Sequence, residues 1–382
     1  TDVDDGSTVT VALNGQSYMG TVSVGSAAIV VEAADLQALT EGTVAYTVDV
    51  TDSAGNAAIQ HSGSFSYDAT APSIVSSAFD FGAVLNAAED DGNAVLNVTT
   101  SGVEDGQVAT LVLDGETYQG TVIGDATSFT VSASDLQALT EGTIAYTVDV
   151  SDSAGNAAAQ HSGSFSYDAN AAIVSSAFDF GAVLNALEDD VDATLTVATT
   201  DVDDGSTVTV ALNGQSYTGT VGAGSAAIVV AAADLQALTE GTVAYTVDVT
   251  DSAGNAAIQH SGSFSYDATA PSIVSSAFDF GAVLNAAEDD GNAVLNVTTS
   301  GVEDGQVATL VLDGETYQGT VIGDATSFTV SASDLQALTE GTIAYTVDVS
   351  DSAGNAAAQH SGSFSYDANA AIVSSAFDFG AV

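Results

Sequence analysis

Short runs of alternating apolar and polar residues follow one another along the whole chain. In residues 94–100, Leu96 and Val98 share one face. The equivalent residues Leu195 and Val197 stay apolar, while the alternate positions become Thr194 and Thr196. Alternation with period two is typical of strands with one buried and one solvated face. The same pattern predicts further strands in residues 73–84, 108–113, 117–122, 128–132, 143–151 and 157–167.

Turn signals separate these runs about every ten residues, which favours a β-sandwich or barrel. Asp114-Gly115 suits a tight hairpin, and residues 134–139 begin with a capping serine and predict a single helical turn. Seven strands in about 100 residues resemble an immunoglobulin-like sandwich. Residues 142–146 resemble the tyrosine corner of that fold, although Tyr146 is equally well explained as a core aromatic. The fold class is therefore predicted to be all-β.

The chain consists of tandem repeats. The block DSAGN begins at residues 52, 152, 251 and 351, and residues 1–183 recur as 200–382 with four differences. Two repeat types therefore alternate, with a period of about 100 residues. We predict an incomplete Ig-like repeat in residues 1–68 that lacks its first strands, then Ig-like repeats in 69–168, 169–267 and 268–367, and the start of a further repeat in 368–382.

The charge of the chain is extreme. Its 382 residues include 51 Asp and Glu but no Lys or Arg, so it repels nucleic acid and anionic membrane surfaces and needs another source of neutralisation. The 46% apolar content argues for packed cores and against disorder. No cysteine is present, and no stretch reaches the roughly 18 apolar residues of a membrane span.

Five segments recur in a fixed order. They are the Ala-Pro linker DATAPS (68–73), LNAAEDD (85–91), GVEDGQ (102–107), ASDLQALTEGT (133–143) and VDVSDSAGNAA (148–158). Together they resemble bacterial Ig-like repeats, in particular the extender repeats of giant repeats-in-toxin surface adhesins of the marine biofilm and ice-binding kind. The resemblance covers essentially the whole chain, and it implies calcium in and between domains, type I secretion and an extracellular, cell-surface location.

Ig-like topology predicts that acidic loops gather at the two poles of each sandwich. We call the pole where the chain enters the N-terminal pole, and the opposite one the C-terminal pole. Calcium prefers six to eight oxygen ligands, so clustered carboxylates without basic partners predict Ca²⁺ sites. Zinc is disfavoured, because cysteine is absent and each histidine is isolated in sequence. The alternative is that these acids are ordinary solvated turn residues.

The predicted calcium ligands recur in every repeat. Asp149 lies on a strand and is either a further ligand or simply exposed. The ligand candidates are Asp5, Asp52, Asn56, Asp68, Glu89, Asp90, Asp91, Glu104, Asp105, Asp152, Asn156, Asp168, Glu188, Asp189, Asp190, Asp203, Asp204, Asp251, Asn255, Asp267, Glu288, Asp289, Asp290, Glu303, Asp304, Asp351, Asn355 and Asp367.

No catalytic site is predicted. One histidine per repeat, at positions 61, 161, 260 and 360, lies in a predicted strand and is expected to be a surface residue. The serine-rich segment 162–166 lacks a nucleophile elbow. Paired acids on exposed loops do not form the cleft that a glycosidase needs. The protein is therefore expected not to be an enzyme.

Two hypotheses for function follow. In the first, the repeats are a calcium-stabilised spacer whose partners are adjacent repeats of the same chain, and the ions stiffen the junctions to project a distal binding region. In the second, the repeats themselves bind a glycan or surface ligand through avidity. The sequence favours the first, since it contains no tryptophan and only short threonine arrays. It does not identify the distal target.

Overall fold

The computed structural model describes residues 3–370 and 374–375. The chain divides into two compact units, Thr1–Ala169 and Asn170–Val382. Across the described residues the helices have only four or five residues each, and none of them is long and apolar enough to cross a membrane. The predicted all-β fold of tandem sandwiches is confirmed.

The first unit begins with a single antiparallel sheet, in the order β2-β1-β3-β4. Residues 26–31 form no strand, whereas the equivalent residues 126–131 of the next repeat pair with residues 94–99. Leu13, Leu39 and Val44 form the small buried cluster of this repeat. Its elements are β1 (Thr8–Leu13), β2 (Gln16–Thr21), α1 (Ala33–Gln37), β3 (Gly42–Thr51) and β4 (His61–Tyr67).

A complete sandwich follows in the same unit. A three-stranded sheet, β10-β7-β5, packs on a five-stranded sheet, β6-β12-β11-β8-β9. Its elements are β5 (Ser73–Phe79), β6 (Val84–Leu85), β7 (Ala94–Ser101), β8 (Val108–Leu113), β9 (Glu116–Thr121), β10 (Ala126–Val131), α2 (Ala133–Leu136), β11 (Gly142–Asp149) and β12 (His161–Tyr167).

The second unit contains two sandwiches with the same strand orders. The first comprises β13 (Ala172–Phe178), β14 (Val183–Asn185), β15 (Ala193–Thr200), β16 (Thr207–Leu212), β17 (Gln215–Thr220), β18 (Ser225–Val230), α3 (Ala232–Leu235), β19 (Gly241–Val249) and β20 (His260–Asp267). The second comprises β21 (Ser272–Phe278), β22 (Val283–Asn285), β23 (Ala293–Ser300), β24 (Val307–Leu312), β25 (Glu315–Thr320), β26 (Ala325–Val330), α4 (Ala332–Gln336), β27 (Gly341–Asp348) and β28 (His360–Asp367).

Period-two burial builds each core. In β7 every second residue is buried, and Leu96 is fully enclosed between the sheets. In β15 Leu195 and Val197 are likewise fully buried. The predicted hairpin also forms, since Asp114 and Gly115 both have positive φ, at 48° and 85°. The strands and this turn therefore follow directly from local sequence.

The predicted first strand, residues 73–84, is wrong in one respect. β5 ends at Phe79, and the chain turns at Gly82, where φ is 91°. It then crosses to the other sheet, where β6 pairs in parallel with β12. The backbone N–H of Asp168 donates to the carbonyl of Leu85 at 3.0 Å. Residues 157–160 are also outside the last strand, which begins at His161.

Tyr146 joins the two sheets of its sandwich. Its hydroxyl lies 2.8 Å from Ser77 Oγ on β5, and its ring meets Phe79 edge-on at 5.4 Å. The hydroxyl therefore bonds a side chain of the opposite sheet, and the resemblance to a tyrosine corner does not hold. The ring also covers Gly163, where an added Cβ would lie 2.2 Å from the tyrosine Cζ. A glycine is required there because the ring occupies that space.

We predict that Gly163→Ala destabilises this sandwich by about 1–3 kcal/mol, because the methyl group forces the Tyr146 ring out of its place. Calorimetry of the whole chain should show one unfolding transition moving to lower temperature. Gly92→Ala is the matched control, since the nearest atom to its added Cβ is 3.8 Å away. Equal stability of the two variants would contradict this role for the ring.

Candidate cation-binding poles

At the N-terminal pole of the sandwich 73–167, the DSAGN turn is built around Asp152. Its Oδ1 accepts the backbone N–H of Ala154 at 3.0 Å and of Asn156 at 2.8 Å, and its Oδ2 accepts Asn156 Nδ2–H at 2.8 Å. Asp152 is only 3% exposed. Burial acts to raise its pKa, but the hydrogen bonds from Asn156 and its neighbours outweigh this and lower the pKa. The carboxylate is therefore ionised and caps its own turn.

Glu104 and the linker join the same pole. The backbone N–H of Ser153 donates to Glu104 Oε2 at 2.8 Å, and this bond leads the causes that lower the pKa of Glu104. Asn156 Nδ2 donates to the backbone carbonyl of Asp68 at 3.2 Å. Hydrogen bonds thus connect the predicted ligands Asp68, Glu104, Asp152 and Asn156.

Asp105 does not join that network. Its Oδ1 accepts the backbone N–H of Gly124 at 2.7 Å, so the side chain ties its loop to the turn after β9. The equivalents Asp204 and Asp304 bond Ala223 and Gly323 in the same way. The side chain next to each of them contacts the DSAGN turn instead.

The other repeats reproduce the turn. Asp203 accepts Ser252 Oγ–H, and Glu303 accepts the Ser352 N–H at 2.8 Å. In the first repeat Asp4 takes this position and accepts Ser53 Oγ–H, whereas the predicted ligand was its neighbour, the exposed Asp5. The 199-residue offset from Asp203 would have identified it. The Asp–Asn pairs of the turn are Asp52–Asn56, Asp251–Asn255 and Asp351–Asn355, each bonded through backbone and side chain.

At the C-terminal pole, Asp90 is a buried residue and not a solvated turn acid. It is 5% exposed, and its Oδ2 accepts the Tyr167 hydroxyl at 2.6 Å. Burial, with this hydrogen bond, raises the pKa of Tyr167 to about 12. The other two complete repeats contain the same 2.6 Å contact, as Tyr266–Asp189 and Tyr366–Asp289.

The neighbours of Asp90 organise the rest of this pole. Glu89 Oε2 folds back on the Asn86 N–H at 3.1 Å, and Asp91 Oδ1 accepts Gln137 Nε2–H at 3.0 Å. Glu141 Oε1 accepts the Ala169 N–H at 2.9 Å, next to Asp168. The other two complete repeats make the same contacts: Glu188 accepts from Asn185 and Glu288 from Asn285, and Asp190 accepts from Gln236 and Asp290 from Gln336. Asp267 accepts the backbone N–H of Thr269 in its own linker. Asp367 is exposed.

The poles therefore present oxygen donors of the kind calcium prefers, carboxylates together with backbone and amide carbonyls. Their chemistry fits a hard cation, and the lowered pKa values of Asp152 and Glu104 keep both groups charged. In residues 3–370 and 374–375, however, no three Asp, Glu or His side chains converge as a metal-binding group. Amide hydrogens hold the acids together in this structure.

The repeated histidine was predicted to be a surface residue, but it is half-buried in the second repeat. His161 Nε2 lies 2.8 Å from Ser77 Oγ, which also contacts Tyr146. His360 makes the same contact with Ser276 at 2.8 Å. Asp149, considered as a further ligand, accepts Gln160 Nε2–H at 2.9 Å. The two histidines therefore contact serines of the facing sheet, and Asp149 contacts the side chain of Gln160.

Comparison with known proteins places the chain. It is 30% identical to a Ca²⁺-stabilised adhesin that helps an Antarctic bacterium reach out and bind ice, over 96% of this chain and 91% of that one, with a TM-score of 0.36. The chain belongs to the Ig-like repeat family of bacterial adhesins. A scan against protein-family models and a search of curated proteins found no match.

Two further solved structures resemble these adhesin repeats. A 1.5-MDa bacterial ice-binding adhesin is 28% identical over 78% of this chain and 99% of its own, with a TM-score of 0.42. A bacterial immunoglobulin-like domain from the M. primoryensis ice-binding adhesin is 31% identical over 24% of this chain and 96% of its own, with a TM-score of 0.20.

We predict that the adhesin repeats lose stability as the pH rises from about 10, the ordinary tyrosine value, through about 12, the folded-state pKa of Tyr167. The sign follows because the folded state retains the phenolic proton that the unfolded chain releases. Asp90→Asn should lower the pKa of Tyr167, since the neighbouring charge is removed while burial remains. Titration followed by NMR of ¹³C-labelled tyrosine measures both effects. Asp91→Asn is the control, and an equal shift in both variants would contradict the assignment.

We also predict that Asp152→Ala lowers the free energy of unfolding of its sandwich by about 2 kcal/mol, because buried N–H groups lose a charged acceptor. The loss should already be present in chelator, where no cation is bound, as measured by calorimetry. Asp114→Asn removes the same charge at a turn where the sister repeats carry Asn14 and Asn213, and it should be neutral. Destabilisation seen only in calcium would show that Asp152 is not primarily a turn cap.

Proposed function

We propose that this chain is a spacer in a bacterial cell-surface adhesin, and that Ca²⁺ bound at the poles of its sandwiches stiffens it. The observation that carries the proposal is the grouping of ionised carboxylates, which can act as metal ligands, at the N-terminal pole, next to the linker from the preceding repeat. Asp152 and Glu104 are connected there to the linker residue Asp68 through Ser153 and Asn156. The 30% identity to a Ca²⁺-stabilised adhesin supports the same proposal.

Electrostatics gives the physical reason for a cation. The formal net charge is −51, and the chain has no Lys or Arg to compensate it. Two carboxylates roughly 4 Å apart repel by about 1 kcal/mol in bulk water and by more near a protein surface. Hydrogen bonds from neutral N–H groups orient these acids but leave the net charge unchanged. A bound divalent cation neutralises the pole and favours the aligned state.

The proposed ligands divide between the two poles. At the N-terminal pole, Glu104, Asp152 and the linker Asp68 are the first candidates, and Asp105 is a weaker one because it already caps Gly124. At the C-terminal pole, Glu89, Asp91 and Asp168 are proposed, together with Asp90, which Tyr167 holds in place. The corresponding residues of the other repeats are proposed in the same roles.

Calcium would act by mass action. An ion that binds only the folded, aligned chain stabilises it in proportion to its concentration relative to the dissociation constant. Extracellular calcium modules typically work at about 10⁻⁴–10⁻³ M, which agrees with a location outside the cell. Export by type I secretion and assembly of the stiff form after export belong to the same proposal. The distal region of the adhesin, and not these repeats, would bind the target.

We expect small-angle scattering of the whole chain to give a larger maximum dimension in calcium than in excess chelator. Mg²⁺ at equal ionic strength is the control, because screening alone would act through either cation. An unchanged profile in calcium and chelator would overturn the calcium-stiffened spacer. Equal extension by Mg²⁺ would show screening in place of specific binding. Binding of the repeats to a glycan array or to ice would favour the alternative, direct recognition.

Calorimetric titration tests the ligands. We expect Glu303→Gln to weaken or remove a calcium site, because it deletes a carboxylate that contacts the DSAGN turn. Asp313→Asn is the matched control: it removes one charge at a hairpin position where Asn213 occurs in the sister repeat, with the same φ of 49°. Equal calcium affinity in both variants would exclude Glu303 as a ligand.

A further inference from the structure

A direct contact joins the two sandwiches of the second unit, and it involves no charged side chain. Asn185, at the C-terminal pole of the sandwich 172–267, donates its Nδ2–H to the carbonyl of Ala353 at 3.1 Å. The neighbouring N–H of Ala186 donates to Asn355 Oδ1 at 2.8 Å. Ala353 and Asn355 belong to the DSAGN turn of the following sandwich. Two hydrogen bonds thus cross the junction, and both donors lie on the preceding sandwich.

Each asparagine is held in place within its own domain. Asn185 Oδ1 accepts the backbone N–H of Leu187 at 2.9 Å and of Glu188 at 3.1 Å, which leaves the Nδ2 group directed across the junction. Gly354 lies close to that group, since an ideal Cβ there would be 3.3 Å from Asn185 Nδ2. The amide orientation of Asn185 follows from its neighbours, because a flipped amide would turn Nδ2–H toward two N–H donors.

Asn355 is still more constrained. It is 6% exposed. Its Nδ2 donates to Asp351 Oδ2 at 3.0 Å and to the backbone carbonyl of the linker residue Asp267 at 2.8 Å. Its backbone N–H donates to Asp351 Oδ1 at 2.8 Å. One side chain therefore ties the linker to the turn while its Oδ1 contacts the preceding sandwich. Little side-chain entropy remains to be lost when the junction closes.

We propose that Asn185 and Asn355 form an amide lock, a pair of positioning residues that sets the orientation of adjacent sandwiches without metal. Hydrogen bonds between uncharged groups are insensitive to the ionic screening that controls carboxylate repulsion. The lock gives the junction a defined geometry in which the acids of both poles are already presented, and a cation adds to that alignment. The proposal deepens the spacer function and rests on it only for its biological use, because the contacts exist independently of calcium.

The chain provides a matched control for the lock. Asn285 occupies the same loop position in the next sandwich, where its Oδ1 accepts the Ala287 N–H at 3.0 Å and its N–H donates to Glu288 at 3.0 Å. Within the described residues, no hydrogen bond from its side chain to another sandwich is present, and the residue is exposed. Asn185→Asp and Asn285→Asp therefore make the same chemical change, but in the part of the chain that the structure describes only the first replaces a donor that reaches another sandwich.

The experiment is a distance measurement by double electron–electron resonance on the full chain. Thr218→Cys and Gln318→Cys place one spin label on each sandwich, at equivalent exposed strand positions, and no other cysteine exists. In Asn185→Asp the carboxylate still accepts from the loop but faces the Ala353 carbonyl without a donor. The loss of one typical hydrogen bond should raise the ratio of open to aligned junctions roughly fivefold and broaden the distance distribution.

The variants separate the lock from the calcium proposal. We expect Asn185→Asp to broaden the distribution in chelator as well as in calcium, and Asn285→Asp to match the parent. Identical distributions for the two variants in chelator would overturn the lock. A different result would overturn the calcium-stiffened spacer: a distance distribution of the parent chain that is the same with and without calcium. If Asn185→Asp fails to fold, Asn185→Ser keeps an oxygen but is too short to reach Ala353, and the same broadening is expected.

Discussion

Every carboxylate in this protein must be satisfied without a basic side chain, and this constraint organises the structure. The chain has 51 acids and no Lys or Arg, so the hydrogen-bond donors come from turn backbones, amides and phenols. Asp152 is held by the N–H groups of its own turn, and Asp90 by the Tyr167 hydroxyl. Each such contact orients a negative charge and leaves it uncompensated, which concentrates charge where the chain passes from one repeat to the next.

The sandwich fold brings the acidic loops together at one pole. Its two sheets are joined by the crossing of the chain from β5 to β6 and by the Tyr146–Ser77 contact. These connections place the loop after β7, the DSAGN turn and the linker at one end. Asn156 and Asp68 are 88 residues apart in sequence, yet the Asn156 side chain donates a hydrogen bond to the Asp68 carbonyl. The folded sandwich therefore brings to one pole residues that are distant in sequence.

The proposed calcium and the amide lock act on the same junction by different physics. The lock depends on short hydrogen bonds between uncharged groups. Calcium would neutralise carboxylates that backbone N–H groups within each sandwich already orient. A spacer with both would have a preferred angle set by geometry and a stiffness set by ion concentration. Each complete repeat contains the same asparagine, at Asn86, Asn185 or Asn285, and the same DSAGN turn.

The sequence by itself determined the features that depend on neighbours along the chain. Period-two alternation identified the buried face of β7 through Leu96, the Asp114-Gly115 pair identified a hairpin, and the 199-residue offset identified the repeats. It also indicated that acids gather at the poles, since loop order follows from Ig-like topology. These features are encoded locally, because backbone conformation and side-chain alternation depend on a few adjacent residues.

Only the tertiary structure decided which partner each polar group takes. Asp90 and Tyr167 are 77 residues apart, and nothing in the segment 89–91 distinguishes the buried Asp90 from the half-buried Glu89 and the exposed Asp91. Asp105 turns to Gly124 while Glu104 turns to Ser153, and the first strand divides because β12 offers a free edge to β6. Hydrogen bonds are short and directional, so these choices depend on packing distances that a one-dimensional pattern does not contain.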